Sequence, residues 1–320
     1  MKHDLPTIFL GSLVLSLIGC IDGTEASSED EPINGISIDD ETLVTVSESA
    51  CRSRGLELVR LSGKVRHFGL DLLQSPPTPY LLEGVPDVQV WFAEYPFTKW
   101  LDLRTDENGE WEIHIVKQKG RALELSMMYE KDHYPAEVEQ LVFPDGLPEG
   151  WDRSLIKSNV HRIGSADVDD LAMQMPDELF LYYAKSQLEA GISDLVGEPY
   201  MIDNLAVATV GKAWASIFDP TLPHGDPGAE VTLSPAAPSP LSGPIYFDET
   251  VTPNPAIPLT SVDGGVLFNN LQSGLYGMTA VKNPFEYDEV TFAVEPSVKL
   301  YVASPPHAIQ GSNTSGPGEP

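Results

Sequence analysis

The sequence has few cysteines, few basic residues and a single long apolar run. Two cysteines, Cys20 and Cys51, among 320 residues are too few for a disulfide framework. Lysine and arginine number 19 against 48 aspartates and glutamates, which gives a formal net charge of -29. Because nucleic acids and anionic lipid headgroups are bound through Lys and Arg, neither is expected as a partner. The charge instead favours solubility and self-repulsion.

The apolar run lies at the start of the chain, where Leu5 to Ile18 follow the basic residue Lys2. A membrane-spanning helix needs about 20 apolar residues, so this shorter run is typical of a secretory signal. It ends in Leu17-Ile18-Gly19-Cys20, which resembles the lipobox of bacterial lipoproteins. The resemblance implies that residues 1–19 are a signal peptide and that Cys20 becomes the lipidated first residue. An ordinary signal peptide with an incidental cysteine is the alternative.

Lipidation would place the protein on a membrane without spanning it, because several acyl chains together give stable anchoring. Ile21 follows the cysteine, and in the lipoprotein pattern this residue implies the outer membrane, either its periplasmic face or the cell surface. With Cys20 modified, Cys51 would have no intramolecular partner. It is then a free thiol or forms an intermolecular bridge.

Both ends of the mature chain are expected to be disordered. Eight acidic residues and no basic residue occur from Asp22 to Glu41, a charge excess that disfavours a core. We therefore interpret residues 20–54 as an acidic tether that holds the folded part away from the bilayer. The Gly-, Ser- and Pro-rich end predicts a second disordered segment over residues 305–320.

Between these ends, alternating apolar residues and turn signals predict a mainly β protein. Asn108-Gly109 is the strongest hairpin signal in the chain. Strands are predicted at Leu58–Phe68, Val85–Tyr95, Glu110–Val116, Arg121–Tyr129 and Ala136–Phe143. This short spacing favours a β-sandwich, and we place the first sandwich domain at residues 55–146.

The second half repeats this plan. Gly84 corresponds to Gly225, Pro86 to Pro227, Val90 to Val231, Asn108 to Asp263 and Gly109 to Gly264, and "VGKAWASIF" from Val210 parallels "SGKVRHF" from Ser62. A second Ig- or prealbumin-like sandwich domain is therefore predicted at residues 205–304. A helical connecting region is predicted between the domains at residues 147–204, with a helix from Pro176 that stops at Gly191.

The segments "GVPDVQVWF" and "TDENGEWEI", followed by Tyr134-Pro135, resemble the carboxypeptidase regulatory-like domain. The match covers about Leu58 to Phe143 and recurs more loosely from Ala208 to Val302. This resemblance implies prealbumin-like sandwiches that act as structural or binding modules and have no chemistry of their own.

Residues that carry chemistry are scattered. The seven histidines show no metal-ligand spacing, and no serine is framed as a nucleophile. The sequence thus predicts no catalytic residue, no metal site and no cofactor. The alternative is a hydrolase or carbohydrate-binding accessory protein with a site around His161, Asp167, Asp169 and Asp170, although a solvated helix start also explains these residues.

Five aromatic residues lie close together in "WFAEYPFTKW", from Trp91 to Trp100. Alternation sends about half of them into the core, and any that are exposed could stack on a sugar ring or a peptide. Tyr95, Phe97 and Trp100 are the predicted binding residues. The sequence as a whole predicts a non-enzymatic, lipid-anchored envelope protein with scaffold or binding modules for a protein or a glycan.

Overall fold

The computed structural model describes residues 31–68, 70–71, 78–79, 84–131, 154–176, 178–211, 225–285 and 287–310. These residues are mainly β, which confirms the predicted fold class. The strands of the first part are β1 Ile33–Ser37, β2 Thr42–Val46, β3 Leu56–Phe68, β4 Leu70–Asp71, β5 Thr78–Pro79, β6 Gln89–Phe92, β7 Glu110–Gln118, β8 Leu123–Lys131, β9 Ser154–Ile163 and β10 Val168–Pro176. Those of the second part are β11 Leu205–Gly211, β12 Glu230–Ser234, β13 Ile245–Phe247, β14 Pro253–Asn254, β15 Gly265–Asn269, β16 Gly274–Val281, β17 Val290–Val294 and β18 Leu300–Gln310. The α-helices are α1 Glu48–Ser53 and α2 Glu178–Val196, and 3-10 helices cover Pro96–Leu101 and Pro240–Ser242.

The larger sheets stack in three layers. The five-stranded sheet has the strand order β10-β3-β7-β1-β2. The eight-stranded sheet has the order β14-β13-β15-β11-β18-β9-β8-β6, and the three-stranded sheet has the order β12-β16-β17. The eight-stranded sheet is the middle layer, because its successive residues pack into two different cores. Leu205 and Val207 pack with the five-stranded sheet, whereas Ala206 and Ala208 pack with the three-stranded sheet. Successive side chains of a strand point to opposite faces, and β11 is therefore buried at all seven positions.

The last strand joins the two halves of the chain. In β18, Leu300 lies opposite Leu205 of β11 on one side and opposite Ile156 of β9 on the other, and both pairings are parallel. The middle sheet consequently contains strands from both halves. Two cores lie on opposite faces of this shared sheet, and each core includes residues from both halves of the chain.

The predicted tether is partly wrong, because residues 31–54 are ordered. β1 and β2 form an antiparallel pair, and β1 also lies parallel to β7, with Ile36 opposite Ile115. Ile36 and Ile38 are buried at 1% and 3% exposure. The acidic residues Asp39, Asp40 and Glu41 lie in the turn between β1 and β2. The high charge of this region therefore led us to miss a strand with buried apolar side chains. Residues 20–30 lie outside the described part of the chain.

The predicted C-terminal tail is also partly wrong, because residues 305–310 belong to β18. Two prolines in this stretch argue against a central strand. The pairing of β18 with β11 shifts register between Val207 and Thr209 and again between Thr209 and Val210. Such irregularities are where a sheet accommodates proline. Residues 311–320 lie outside the described range.

The region from 147 to 204 is helical only in part. Helix α2 confirms the predicted helix, but it continues through Gly191 to Val196 and ends at Gly197, whose φ is +76° and whose N–H donates to Ser193 O at 2.8 Å. A glycine with positive φ just past the last turn is a common helix end. Before the helix, β9 and β10 are strands of two different sheets.

The repeat is confirmed by matching backbone contacts in the two halves of the chain. We call Val65, Gly84 and Gly109 with their contacts the first clasp, and Val210, Gly225 and Gly264 with theirs the second clasp. The Val65 N–H donates to Gly109 O at 2.9 Å, and the Val210 N–H donates to Gly264 O at 2.9 Å. A Cβ on Gly84 would lie 1.8 Å from Asn108 O, and one on Gly225 would lie 2.2 Å from the carbonyl carbon of Asp263. Because Val210 occupies the position of Val65, the predicted parallel between "VGKAWASIF" and "SGKVRHF" is out of register.

The turn at Asn108-Gly109 forms, and Gly109 has a φ of +77°. It does not close a hairpin within one sheet. The residues before it pair with β6 of the middle sheet, where the Val90 N–H donates to Leu103 O at 2.8 Å. The strand after it, β7, pairs with β3 of the five-stranded sheet. The turn therefore crosses from one layer to another.

Candidate functional site

The predicted binding residues lie at a short 3-10 helix, Pro96–Leu101, that follows edge strand β6. Phe97 and Trp100 are within this helix, and Tyr95 directly precedes it. The chain reverses immediately after β6, where the Tyr95 N–H donates to Phe92 O at 3.1 Å. Pro96 then occupies the first helical turn, a position that needs no backbone N–H. The helix ends at Asp102, a non-glycine residue with a φ of 50°.

Thr98 fixes this helix to β6. Its side chain is 2% exposed, and Oγ1 accepts the Phe92 N–H at 3.0 Å and donates to Tyr95 O at 2.7 Å. A buried hydroxyl with both of its bonds satisfied holds its surroundings in one geometry. The aromatic side chains of the helix are thus mounted on a rigid support.

The three predicted binding residues differ in exposure. Tyr95 and Phe97 are partly buried against the first core and contact each other edge to face, with ring centroids 6.3 Å apart. Trp100 is 88% exposed, more than any other large apolar side chain in the described ranges. Trp91 and Phe92 are buried, as the strand alternation implies. Trp100 is therefore the one member of the set that is available to a ligand.

Polar side chains form an ordered network beside Trp100. Asp102 Oδ1 accepts from Arg104 Nε at 2.8 Å and from Gln89 Nε2 at 3.3 Å. Arg104 also donates from Nη1 to Asp87 Oδ1 at 3.0 Å. The hydrogen bonds to these two carboxylates raise the pKa of Arg104 above its ordinary value, so the guanidinium stays charged.

The neighbouring cation is also paired. Lys99 Nζ donates to Glu130 Oε2 at 2.9 Å and lies 4.1 Å from the ring centroid of Trp91. Burial is the main reason that the pKa of Tyr95 lies above its ordinary value, and its hydroxyl is neutral at pH 7. The surface around Trp100 therefore combines a protruding ring with polar groups whose charges are already compensated.

The described residues of the alternative site around His161 do not form a catalytic group. The hydrogen bonds of Asp167 and Asp169 lead to Arg60 instead. Asp167 Oδ1 accepts the Arg60 backbone N–H at 2.8 Å, and Asp169 Oδ1 accepts from Arg60 Nη2 at 2.7 Å. Burial lowers the pKa of His161 to about 4, so this imidazole is neutral at pH 7. Asp170 lies on β10, and its side chain is outside the described set. Two of the three carboxylates thus bind an arginine that ties β3 to β10.

Sequence reasoning missed the polar network around Asp102, because its members come from strand β6 and from loops that only the fold brings together. It also missed Lys157, which is 2% exposed and paired with Glu295. Lys157, Asn159 and Tyr301 help to line a cavity of about 10 Å³ between the middle and third sheets, which is room for one water at most. No pattern of residue types along the chain predicts these contacts.

Other residues that the sequence analysis singles out lie elsewhere. Cys20 falls outside the described residues. Cys51 lies on α1 at 1% exposure, and burial disfavours the intermolecular bridge. Within the described ranges, no group of three or more His, Cys, Asp or Glu could hold a metal ion. The helices in those ranges are too short or too polar to cross a membrane.

Comparison with known proteins gives no close relative. No protein-family model and no curated protein matches the chain, so the resemblance to the carboxypeptidase regulatory-like domain stays a prediction. Among solved structures, the chain is similar to the Bacillus anthracis TIE protein at 10% identity, covering 80% of this chain and 35% of that one with a TM-score of 0.20. It is also similar to the minor pilin GBS52 of Streptococcus agalactiae at 10% identity, covering 82% of this chain and 99% of that one with a TM-score of 0.20.

The major pilin subunit BcpA of Bacillus cereus is similar at 8% identity, covering 85% of this chain and 77% of that one with a TM-score of 0.20. The chain spans about a third of the length of the TIE protein structure. At these values none of the likenesses identifies a family.

Proposed function

We propose that this chain is a non-enzymatic, lipid-anchored protein of the cell envelope whose β layers present a binding surface for an envelope protein or glycan. The observation that carries the proposal is the position of Leu17-Ile18-Gly19-Cys20 at the end of the apolar run. Diacylglycerol on the Cys20 sulfur would add buried methylenes at about 0.8 kcal/mol each. Ile21 favours the outer membrane.

The ordered start of the fold shortens the proposed tether. Residues 21–32 separate Cys20 from β1, and a chain of that length spans at most about 40 Å. Since β1 lies inside the five-stranded sheet rather than at its edge, the anchor would be joined directly to a core strand. The β layers would then stay close to the bilayer.

A Cys20→Ala variant tests the anchor. We expect it to lose metabolic labelling with a palmitate analogue and to move from the membrane fraction to the soluble fraction. The matched control is Cys51→Ala, which changes the only other cysteine and should keep both label and membrane association. Labelling of Cys20→Ala at the wild-type level would refute the lipid anchor.

The absence of an enzymatic role is supported by the contacts of Asp167 and Asp169 with Arg60. A general acid or base must reach the substrate proton, and carboxylates held by an arginine are poorly placed for that task. A hydrolase with its site at His161 is the competing function. A His161→Gln variant that keeps binding but loses hydrolytic activity would favour the hydrolase.

The proposed binding surface is Trp100 with the polar network of Gln89, Asp102 and Arg104. An exposed indole on a rigid support loses little conformational entropy when it is covered, and truncating a hot-spot tryptophan to alanine costs about 2 kcal/mol or more. The paired charges around it suit a partner that is hydrogen-bonding rather than strongly charged.

Photocrosslinking in intact cells and a glycan array would test this surface with two variants. Trp100→Ala should abolish the crosslinked product or the array signal. Leu195→Ala, which removes a side chain 73% exposed on α2, should leave both unchanged. Equal capture by the two variants would place the binding surface elsewhere on the molecule.

A further inference from the structure

Strand β2 is an exposed edge of the five-stranded sheet. Within the described residues it pairs with β1 and with no other strand. The five pairs from Ile33↔Val46 to Ser37↔Thr42 run without a register shift. The outer backbone groups of such a strand are available to another chain.

Both edges of the eight-stranded sheet carry protection that β2 lacks. Beyond β6, residues 103–105 cover the edge, with the Val90 N–H donating to Leu103 O at 2.8 Å and the Thr105 N–H donating to Val88 O at 3.0 Å. The opposite edge strand of that sheet, β14, has only two residues and begins with Pro253. In contrast, β2 reads Thr-Leu-Val-Thr-Val, with no charge, proline or bulge, which are the usual protections of an edge.

Leu43 is the apolar side chain that an added strand would cover. It lies opposite Ile36, so both side chains are on the same face of the sheet. Ile36 is 1% exposed in the first core, whereas Leu43 is 56% exposed. The core face of the sheet thus continues onto β2, and among the described strands none lies outside it.

The charges around β2 select among possible occupants. No lysine or arginine occurs from Glu31 to Cys51. Asp39 pairs with Arg121, but Asp40 and Glu41, which immediately precede β2, have no ion pair with a cation in the described part of the chain. A second copy would bring the same acidic residues and another charge of -29 to the interface, and like charges oppose association.

We propose that β2 is a docking edge that binds an extended segment of a partner protein by antiparallel strand addition, with basic residues of that segment next to Asp40 and Glu41. Antiparallel pairing is slightly more stable per residue than parallel pairing. In that orientation the end of the incoming strand that lies beside Asp40 and Glu41 is its C-terminal end. The partner segment is therefore β-branched and is followed by lysine or arginine. This inference does not depend on the lipid anchor or on Trp100.

The experiment uses the mature full-length chain and a synthetic peptide of alternating threonine and valine that ends in two lysines. Binding is measured by fluorescence anisotropy, and hydrogen exchange of the amides of residues 42–46 reports where the peptide lies. A second peptide ends in two glutamates instead. The variants are Leu43→Lys, which adds a typical edge protection, and Leu195→Lys, which makes the same change at an exposed site on α2.

We expect the lysine-ended peptide to bind wild type and Leu195→Lys equally and to slow exchange in β2. The affinity of the lysine-ended peptide for Leu43→Lys should be about tenfold or more below its affinity for wild type. The affinity of wild type for the glutamate-ended peptide should be lower by the same factor. A tenfold loss corresponds to about 1.4 kcal/mol. Equal binding to Leu43→Lys would overturn the proposal, and so would equal binding of the two peptides. Failure of the lysine-ended peptide to bind the mature chain would also overturn the proposal. Self-association that Leu43→Lys abolishes would identify a second copy as the occupant, against the proposal.

Discussion

The two clasps have the same backbone geometry and different side chains. In the first clasp the Val85 N–H donates to Val65 O at 2.9 Å, and in the second the Asp226 N–H donates to Val210 O at 2.7 Å. A valine in one copy is thus replaced by an acid in the other. Asp226 is 4% exposed and accepts hydrogen bonds from Lys282 and Tyr287. The comparison shows that the repeat depends on glycines and backbone bonds, while the surrounding side chains are free to change.

The turn residues differ in the same way. Asn108 of the first turn is exposed, whereas its counterpart Asp263 is half-buried. Burial raises the pKa of Asp263 to about 6, and the negative charge of Asp248 adds to the increase. The hydrogen bond from the Gly265 N–H lowers the pKa and offsets part of this increase. The second copy therefore holds a carboxylate where its charged form is disfavoured.

The largest expected effect comes from the glycines that make the clasps alike. Gly84→Ala and Gly225→Ala should each destabilise the protein by about 3–5 kcal/mol, because the added Cβ would overlap backbone atoms of the facing turn. Denaturant unfolding measures the loss. Gly164→Ala is the control, since a Cβ there meets nothing within 4 Å, and it should change stability by less than about 0.5 kcal/mol. Wild-type stability of Gly84→Ala would mean that the backbones do not approach so closely.

The next effect tests a second shared bond. Thr105 Oγ1 accepts the Val88 N–H at 2.9 Å and donates to Val85 O at 2.7 Å, and Thr260 Oγ1 accepts the Ala229 N–H at 2.8 Å and donates to Asp226 O at 2.6 Å. Thr105→Val and Thr260→Val keep the shape but leave two buried backbone groups without partners, at a cost of about 2–3 kcal/mol.

Thermal unfolding of the two valine variants should show similar losses if the clasps are equivalent. Thr232→Val is the control, because Thr232 is exposed and shares a solvent-exposed hydrogen bond of 3.1 Å with the hydroxyl of Thr279. It should unfold within about 0.5 kcal/mol of wild type. A loss confined to Thr105→Val would mean that the second clasp does not rely on its threonine.

The smallest effect exchanges the turn residues. Asp263→Asn should stabilise the protein at pH 7 by about 1–2 kcal/mol, because the amide oxygen can still accept the Gly265 N–H and no charge is buried. Because the folded-state pKa of about 6 lies above the unfolded value of 3.8, stability of the wild type is full below about pH 4 and falls as pH rises through 6. The advantage of the variant should therefore be absent at pH 4 and constant above pH 7.

The reciprocal change, Asn108→Asp, gives the comparison its control. Its side chain is exposed, so stability should shift by less than about 0.5 kcal/mol at any pH between 4 and 8. Unfolding midpoints of both variants across this pH range provide the measurement. If Asp263→Asn stabilised the protein equally at every pH, the titration of Asp263 would not be the cause of the effect.

The sequence by itself determined the β character, helix α2 and the matched glycine turns. Each of these depends on local periodicity or on a backbone conformation that glycine adopts readily, and both are visible in a short stretch of residues. It also predicted Tyr95, Phe97 and Trp100 as a group, but alternation alone does not say which ring is exposed. That Trp100 protrudes follows from the 3-10 helix and from the bonds of Thr98.

Only the tertiary structure decided how the strands are shared. Residues 31–54 and 305–310 read as acidic and proline-rich tails, yet β1 lies between β2 and β7, and β18 lies between β9 and β11. A strand is stabilised by partners far away in the chain, and neither net charge nor composition identifies those partners. The same non-local pairing makes the eight-stranded sheet a layer common to both halves and leaves β2 at an unprotected edge.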